Sequence, residues 1–138
     1  MVHALERARR QLTPGGALVC IQPHVKKRYS IAITGPGSRQ PVTDLINPVF
    51  QPLITAAVAA IRVVVAEGRL ALIGTSSHRY RVRLAGPAAL HRYLHLTATP
   101  PRFPPGGRKR LRALWRTRTE GTLIEVTEFF EVMAMRAL

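Results

Sequence analysis

The stretch LERARRQLTPGGALVCIQPH, residues 5–24, decides the expected fold, because it places a helix, a tight turn and a strand in immediate succession. The apolar spacing over residues 2–12 predicts a short helix. The PGG turn at residues 14–16 ends it, since proline cannot continue a helix and glycine turns freely. The unbroken apolar run over residues 17–21 then predicts a strand covered on both faces, as in parallel sheets.

A longer helix follows, and a second strand comes directly after it. From Phe50 to Val65 the apolar residues recur every three or four positions over four turns. Gly68 predicts the end of this helix, and the run Arg69–Gly74 predicts a strand. Helices that alternate with buried strands predict an α/β fold with a mostly parallel sheet.

The rest of the chain predicts shorter elements. Residues 78–84 alternate, which places Arg79, Arg81 and Arg83 on one face of a half-buried strand. Proline and glycine indicate loops over residues 24–47 and 97–107. Two helices are predicted over residues 87–96 and 107–118. A strand is predicted over residues 122–135, at an edge of the sheet or in a hairpin.

The composition indicates a basic protein of one domain, residues 1–138. Lys and Arg number 21 against 7 Asp and Glu, which leaves a net charge of +14. The charge is uneven, because residues 120–138 carry four glutamates and one arginine. Repulsion among the positive charges opposes a compact state. The excess of positive charge therefore suggests a polyanionic partner or a chain that works as part of an assembly.

The sequence also bears on the compartment. Cys20 is the only cysteine, so an internal disulfide and a zinc site of several thiolates are excluded. The first residues lack the apolar core of a secretory signal. The longest apolar stretch, residues 53–66, is shorter than the roughly 20 residues that span a bilayer. We therefore expect a cytoplasmic protein without a membrane segment.

Residues 5–24 resemble the segment that follows the fourth strand in class I S-adenosylmethionine-dependent methyltransferases. GPAALHRYLHL, residues 86–96, is similar to a late helix of that family, and TEFFEVMAMRAL, residues 127–138, looks like its closing antiparallel strand. The resemblance implies a partial doubly wound, Rossmann-like sheet that matches the C-terminal half of such an enzyme.

The same resemblance implies a methyltransferase-like protein that lacks the glycine-rich half which binds S-adenosylmethionine. We expect a partner chain or a second copy to complete it, as a homo- or hetero-oligomer, because half a sheet leaves an unpaired edge beside Leu18 and Val19. Catalytic residues stay unknown. The residues expected to border the acceptor pocket follow the first strand: Gln22, His24, Lys26, Lys27, Arg28 and Tyr29.

Three smaller motifs are weaker candidates. Gly35-Pro36-Gly37 lacks the third glycine of a dinucleotide loop and is interpreted as a surface turn. His91 and His95 have helical metal-ligand spacing but no accompanying acid, so they are interpreted as surface histidines and no metal is predicted. Cys20 is expected to be an inert, buried thiol.

A rival hypothesis is a non-catalytic basic module that binds RNA or DNA. Seven cations fall between residues 102 and 118, with aromatic residues among them. An ordinary solvated helix face explains the same pattern. A third possibility for the chain as a whole is a truncated reading frame without an independent role. The residues expected at a nucleic-acid interface are Arg108, Lys109, Arg110, Arg112, Trp115 and Arg116.

Overall fold

The computed structural model describes residues 2–138, and a mostly antiparallel five-stranded sheet organises them. Within these residues the elements, in chain order, are α1 (Val2–Arg10), β1 (Ala17–Pro23), β2 (Ser30–Gly35), β3 (Ser38–Asp44), α2 (Phe50–Ala66), β4 (Leu70–Leu84), α3 (Pro87–Leu94), α4 (Gly107–Arg116) and β5 (Leu123–Ala137).

The strand order shows that the predicted Rossmann-like, mostly parallel sheet is wrong. The order is β1-β5-β2-β3, and β4 also pairs with β5. β5 runs antiparallel to β1, with Ala17 opposite Arg136, and antiparallel to β2, with Ile31 opposite Val126. β2 and β3 are antiparallel as well. The last strand is therefore the centre of the sheet, and its prediction as an edge or hairpin strand is also wrong.

The connections explain the antiparallel pairing. β2 and β3 are joined by Pro36 and Gly37 alone, since Gly35 pairs with Ser38. Gly37 has a φ of 70°, a conformation that glycine adopts without a steric cost. Parallel neighbours need a crossover of a dozen or more residues, which this turn excludes. The prediction of a loop over residues 24–47 is thus wrong, because most of the segment forms a hairpin.

β1 departs from prediction in its burial. Its residues alternate between half-buried and exposed positions, and Val19 and Ile21 are 57% and 69% exposed. Leu18 and Cys20 face the apolar core instead. The unbroken apolar run therefore belongs to a strand covered on one face, and Cys20 is half-buried rather than fully enclosed.

Other elements agree with prediction more closely. The four helices form where apolar periodicity predicts them, although α3 ends at Leu94 and α4 at Arg116. The two strands predicted over residues 69–74 and 78–84 are one 15-residue strand, β4. Gly74 and the serines after it do not interrupt this strand, because a glycine or serine at an exposed position only weakens strand pairing.

The described residues form two compact units, each with its own core. Unit 1 contains residues 2–25, 50–78 and 130–138. There one face of α2 packs against the end of β5, through Val58, Ile61, Val64, Met133 and Met135. At the PGG turn, the Gly15 amide donates to the Ala137 carbonyl oxygen over 3.2 Å.

Unit 2 contains residues 26–49 and 79–129. Helices α3 and α4 contribute Leu90, Leu94 and Leu111 to its core. The sheet contributes the buried side chains of β2, β3 and β5, which are Ile31, Ile33, Val42, Ile124 and Val126. The candidate functional site lies entirely in this unit.

Candidate functional site

In unit 2, one face of β5 packs in the apolar core and the opposite face carries a charged side chain, Glu125. Ile124 and Val126 of β5 pack in the core of this unit. Because successive side chains of a strand point to opposite faces, Glu125 between them projects from the other face. Arg39 of β3 and Arg81 and Arg83 of β4 meet its carboxylate there. These three arginines and Glu125 are called the arginine site below.

The arginine site has one short contact and two longer ones. Arg39 Nε donates to Glu125 Oε1 over 2.8 Å. Arg81 Nε lies 3.6 Å from the same oxygen, and Arg83 Nε lies 3.9 Å from Oε2. In all three pairs the Nε atom makes the contact, so the terminal Nη groups are left for other acceptors.

The charges at this site do not balance. The Glu125 side chain is 1% exposed, whereas those of Arg39, Arg81 and Arg83 are 40%, 41% and 65% exposed. Three guanidinium groups face one carboxylate, which leaves a local charge of +2. With five N–H donors each, the three guanidinium groups carry fifteen donors, whereas one carboxylate offers about four acceptor sites. The arrangement therefore suits a further anion.

A groove of about 540 Å³ opens beside these arginines. Its walls include two turns, the β2–β3 turn and the turn at Gly121 before β5. The turns lie next to each other, because a Cβ atom at Gly121 would be 4.0 Å from Pro36 Cγ. The hydroxyl-bearing residues Thr34 and Ser38 also line the groove. A bound anion would thus meet guanidinium and hydroxyl donors together.

Gly35-Pro36-Gly37 lines one wall of this groove. The interpretation of the motif as a surface turn is confirmed, since it connects β2 to β3. The sequence did not indicate that the turn would form one wall beside Arg39.

The six residues predicted to border an acceptor pocket are divided between the two units. Gln22 lies in β1, opposite Glu131 of β5, and His24 follows β1. Both Gln22 and His24 belong to unit 1. Lys26, Lys27, Arg28 and Tyr29 belong to unit 2. In unit 2 the Lys27 ammonium lies over the Phe129 ring, 5.4 Å from its centroid. The acceptor pocket stays a prediction.

Tyr29 is part of a second polar cluster, around Glu128. Tyr80 Oη donates to Glu128 Oε2, and Tyr93 Oη donates to Oε1, each over 2.5 Å. Burial raises the pKa of all three tyrosines, most for Tyr29 and Tyr93, and the Glu128 carboxylate raises it further. Both carboxylate oxygens of Glu128 therefore already accept hydrogen bonds within the cluster.

Helix α4 presents the cations that the sequence predicted at a nucleic-acid interface. Arg108, Lys109, Arg110, Arg112 and Arg116 are all exposed. Arg110 Nη2 donates to the Pro41 carbonyl oxygen over 3.2 Å. The remaining predicted residue, Trp115, is half-buried against the core of unit 2, and Arg118 lies over its ring.

The histidine and cysteine candidates have ordinary surroundings. His91 and His95 are exposed, with ring centroids 4.1 Å apart, as interpreted from their spacing. The residues that the structure describes contain no group of three or more potential metal ligands. Burial raises the pKa of the Cys20 thiol, which makes it a poor nucleophile at neutral pH.

Sequence reasoning missed the arginine site. It placed Arg81 and Arg83 on one face of a strand but did not connect them with Arg39 or Glu125. A signal was present, because Glu125 is a lone acid within the apolar run Leu123–Val126. A charge in the middle of a buried strand indicates a paired cation.

No protein-family model, curated protein or solved structure matches this chain. None of the helices in the described part of the chain combines the length and apolar composition that crossing a bilayer requires.

Proposed function

We propose that this protein is a non-catalytic basic module that binds the phosphate backbone of RNA or DNA through unit 2. The observation that carries the proposal is the surplus of two positive charges at the arginine site, where three guanidinium groups surround one buried carboxylate. Phosphate groups suit such a site, because the planar fork of arginine matches their oxygens and forms charge-assisted, often paired hydrogen bonds with them.

A purely structural role explains the arginines less well. One ion pair at 2.8 Å, from Arg39, satisfies the need of the buried Glu125 for a partner. Arg81 and Arg83 are farther away and more exposed, and exposed ion pairs add little stability. Two extra cations on one face repel each other unless an anion is bound between them.

The wider charge distribution supports a polyanion rather than a small anion. Residues 1–119 carry 20 basic and 3 acidic side chains. Such an excess attracts nucleic acid from a distance and makes its binding depend on salt. The exposed cations of α4 contribute to the same field. The methyl-transfer activity implied by the family resemblance stays a prediction, and the sheet expected with it is wrong.

The test is fluorescence anisotropy of a labelled oligonucleotide at several salt concentrations. If the three arginines each contact a separate backbone phosphate, the slope of log K against log salt is about −2 for a single strand, or about 20-fold weaker binding from about 50 to about 200 mM salt. The variant R81A/R83A should flatten the slope by about 1.4. A salt-independent affinity would contradict the proposal.

Two matched variants locate the interface. R62A/R92A removes the same charge from exposed positions on α2 and α3, and it should leave the slope close to that of the unmodified protein. R112A/R116A removes two charges from α4. If R112A/R116A flattens the slope and R81A/R83A does not, the interface is α4 and the arginine site is not involved.

A further inference from the structure

We infer that the groove of the arginine site receives a terminal phosphomonoester, the phosphorylated end of a nucleic-acid strand. This inference rests on the proposed function and specifies which phosphate the site prefers. Three observations carry it: the charge of the site, the direction of its donors and the groove that the arginines line.

The charge of the site matches a monoester better than an internal phosphate. Arg39, Arg81 and Arg83 against Glu125 leave a charge of +2. A phosphomonoester carries about −1.5 to −2 at neutral pH, whereas each internal diester carries one negative charge. A terminal phosphate therefore neutralises the site alone, and an internal phosphate leaves part of the charge unbalanced.

Glu125 orders the donors that a monoester needs. Each arginine approaches the carboxylate with its Nε atom, at 2.8, 3.6 and 3.9 Å. The terminal Nη groups of Arg39, Arg81 and Arg83 are then available for the three free oxygens of a monoester. Arg39 is already held by its hydrogen bond to the carboxylate, so this side chain loses less conformational freedom when the anion binds.

The groove lies where the strands of unit 2 end. The β2–β3 turn and the turn at Gly121 stand side by side along it. The two turns and the three arginines therefore line one groove, and Ser38 adds a hydroxyl donor on the same wall.

The experiment compares oligonucleotides of about 12 nucleotides that differ only at their ends. The three forms carry a 5′-phosphate, a 3′-phosphate or hydroxyls at both ends. We expect one phosphorylated form to bind about tenfold more tightly than the hydroxyl form, since it gains charge-assisted hydrogen bonds. The two phosphorylated forms also distinguish a 5′ end from a 3′ end.

Variants and pH identify the site responsible. The preference for a phosphorylated end should disappear in R81A/R83A and persist in R62A/R92A. R83A alone is a second variant for the same comparison. It disturbs the fold least, because Arg83 is the most exposed of the three arginines and the farthest from Glu125. The preference should also shrink below about pH 6, where the monoester takes up a proton and loses charge.

The outcomes separate this inference from the proposed function. If all three oligonucleotides bind equally, with the expected salt dependence, the terminal site is wrong and backbone binding stands. If none of them binds, the proposed function fails. A preference that survives in R81A/R83A places the terminal phosphate elsewhere and overturns the inference.

Discussion

Replacing Glu125 with glutamine should lower stability and raise phosphate affinity at the same time. Glutamine keeps the shape of the side chain and one acceptor oxygen for Arg39, but it removes the negative charge. The free energy of unfolding falls because the guanidinium groups lose their counter-charge. Binding of phosphate strengthens because the local charge rises from +2 to +3. Opposite effects of one substitution are the signature of a carboxylate that competes with the ligand.

The size of the stability loss follows from the three contacts. The Arg39 pair is a charge-assisted hydrogen bond at 2.8 Å, a type that contributes about 1.5–3 kcal/mol. Arg39 is 40% exposed, so solvent screening favours the lower part of this range. The ion pairs of Arg81 and Arg83 with Glu125 are longer and exposed, so each adds at most about 1 kcal/mol. Since glutamine retains an acceptor, we expect E125Q to lose about 2 kcal/mol.

Urea denaturation followed by the fluorescence of Trp115 measures this loss. Trp115 is the only tryptophan and packs against the core of unit 2, so its signal reports the unit that contains Glu125. With a denaturant slope of about 2 kcal/mol per molar, the midpoint should fall by about 1 M urea. Phosphate affinity is measured on the same preparation with a 5′-phosphorylated and a 3′-phosphorylated oligonucleotide.

The matched control is E128Q. Glu128 lies in the same strand and is also buried, but Tyr80 and Tyr93 are its hydrogen-bond donors. E128Q should lower stability without raising phosphate affinity. If E125Q binds phosphate no more tightly than the unmodified protein, or is equally stable, the reasoning about Glu125 is refuted.

Two further predictions concern proton and cofactor binding. The raised pKa values of Tyr29, Tyr80 and Tyr93 mean that the unfolded chain releases these protons first as pH rises, so the free energy of unfolding should fall from about pH 10 upward. Absorbance titration should show that Tyr29 and Tyr93 form tyrosinate only together with unfolding, and ionisation of all three tyrosines near pH 10 in the folded protein would contradict this. Isothermal titration with S-adenosylmethionine should give no saturable heat, because the glycine-rich motif of the methyltransferases is absent from this sequence. Saturable binding would instead support the family resemblance.

The helices were the predictable part of this fold. In α2 the apolar residues return every three or four positions, and the side chains of Ile54, Val58, Ile61 and Val64 are buried as that period predicts. Local spacing is sufficient here, because a helix satisfies its backbone hydrogen bonds within its own segment.

The sheet was not predictable in the same way. Ala17–Ile21 forms the predicted strand, but its partner is more than 100 residues away in β5, and no local pattern specifies that pairing. An unbroken apolar run also fails to show whether one or both faces are covered, and Val19 and Ile21 proved to be exposed. The parallel arrangement was inferred from the order of helices and strands along the chain. The two-residue β2–β3 turn instead makes these two strands antiparallel.

The candidate site was only partly readable for the same reason. The alternation of Arg81 and Arg83 placed both on one strand face, and the structure bears this out through their contacts with Glu125. Arg39 reaches the same carboxylate from β3, which was predicted as a loop. Residues from three strands meet at this point, so their proximity depends on pairing that the sequence does not show.

The place of β5 in the chain has a consequence for biosynthesis. β5 pairs with β1, β2 and β4, yet it is translated after the other four strands of the sheet. On the ribosome the earlier strands must wait for their common neighbour, while the local helices and the β2–β3 hairpin are free to form. Such distant pairings slow folding. Until β5 is made, the apolar side chains and unpaired edges of these strands stay exposed, which favours aggregation of the nascent chain.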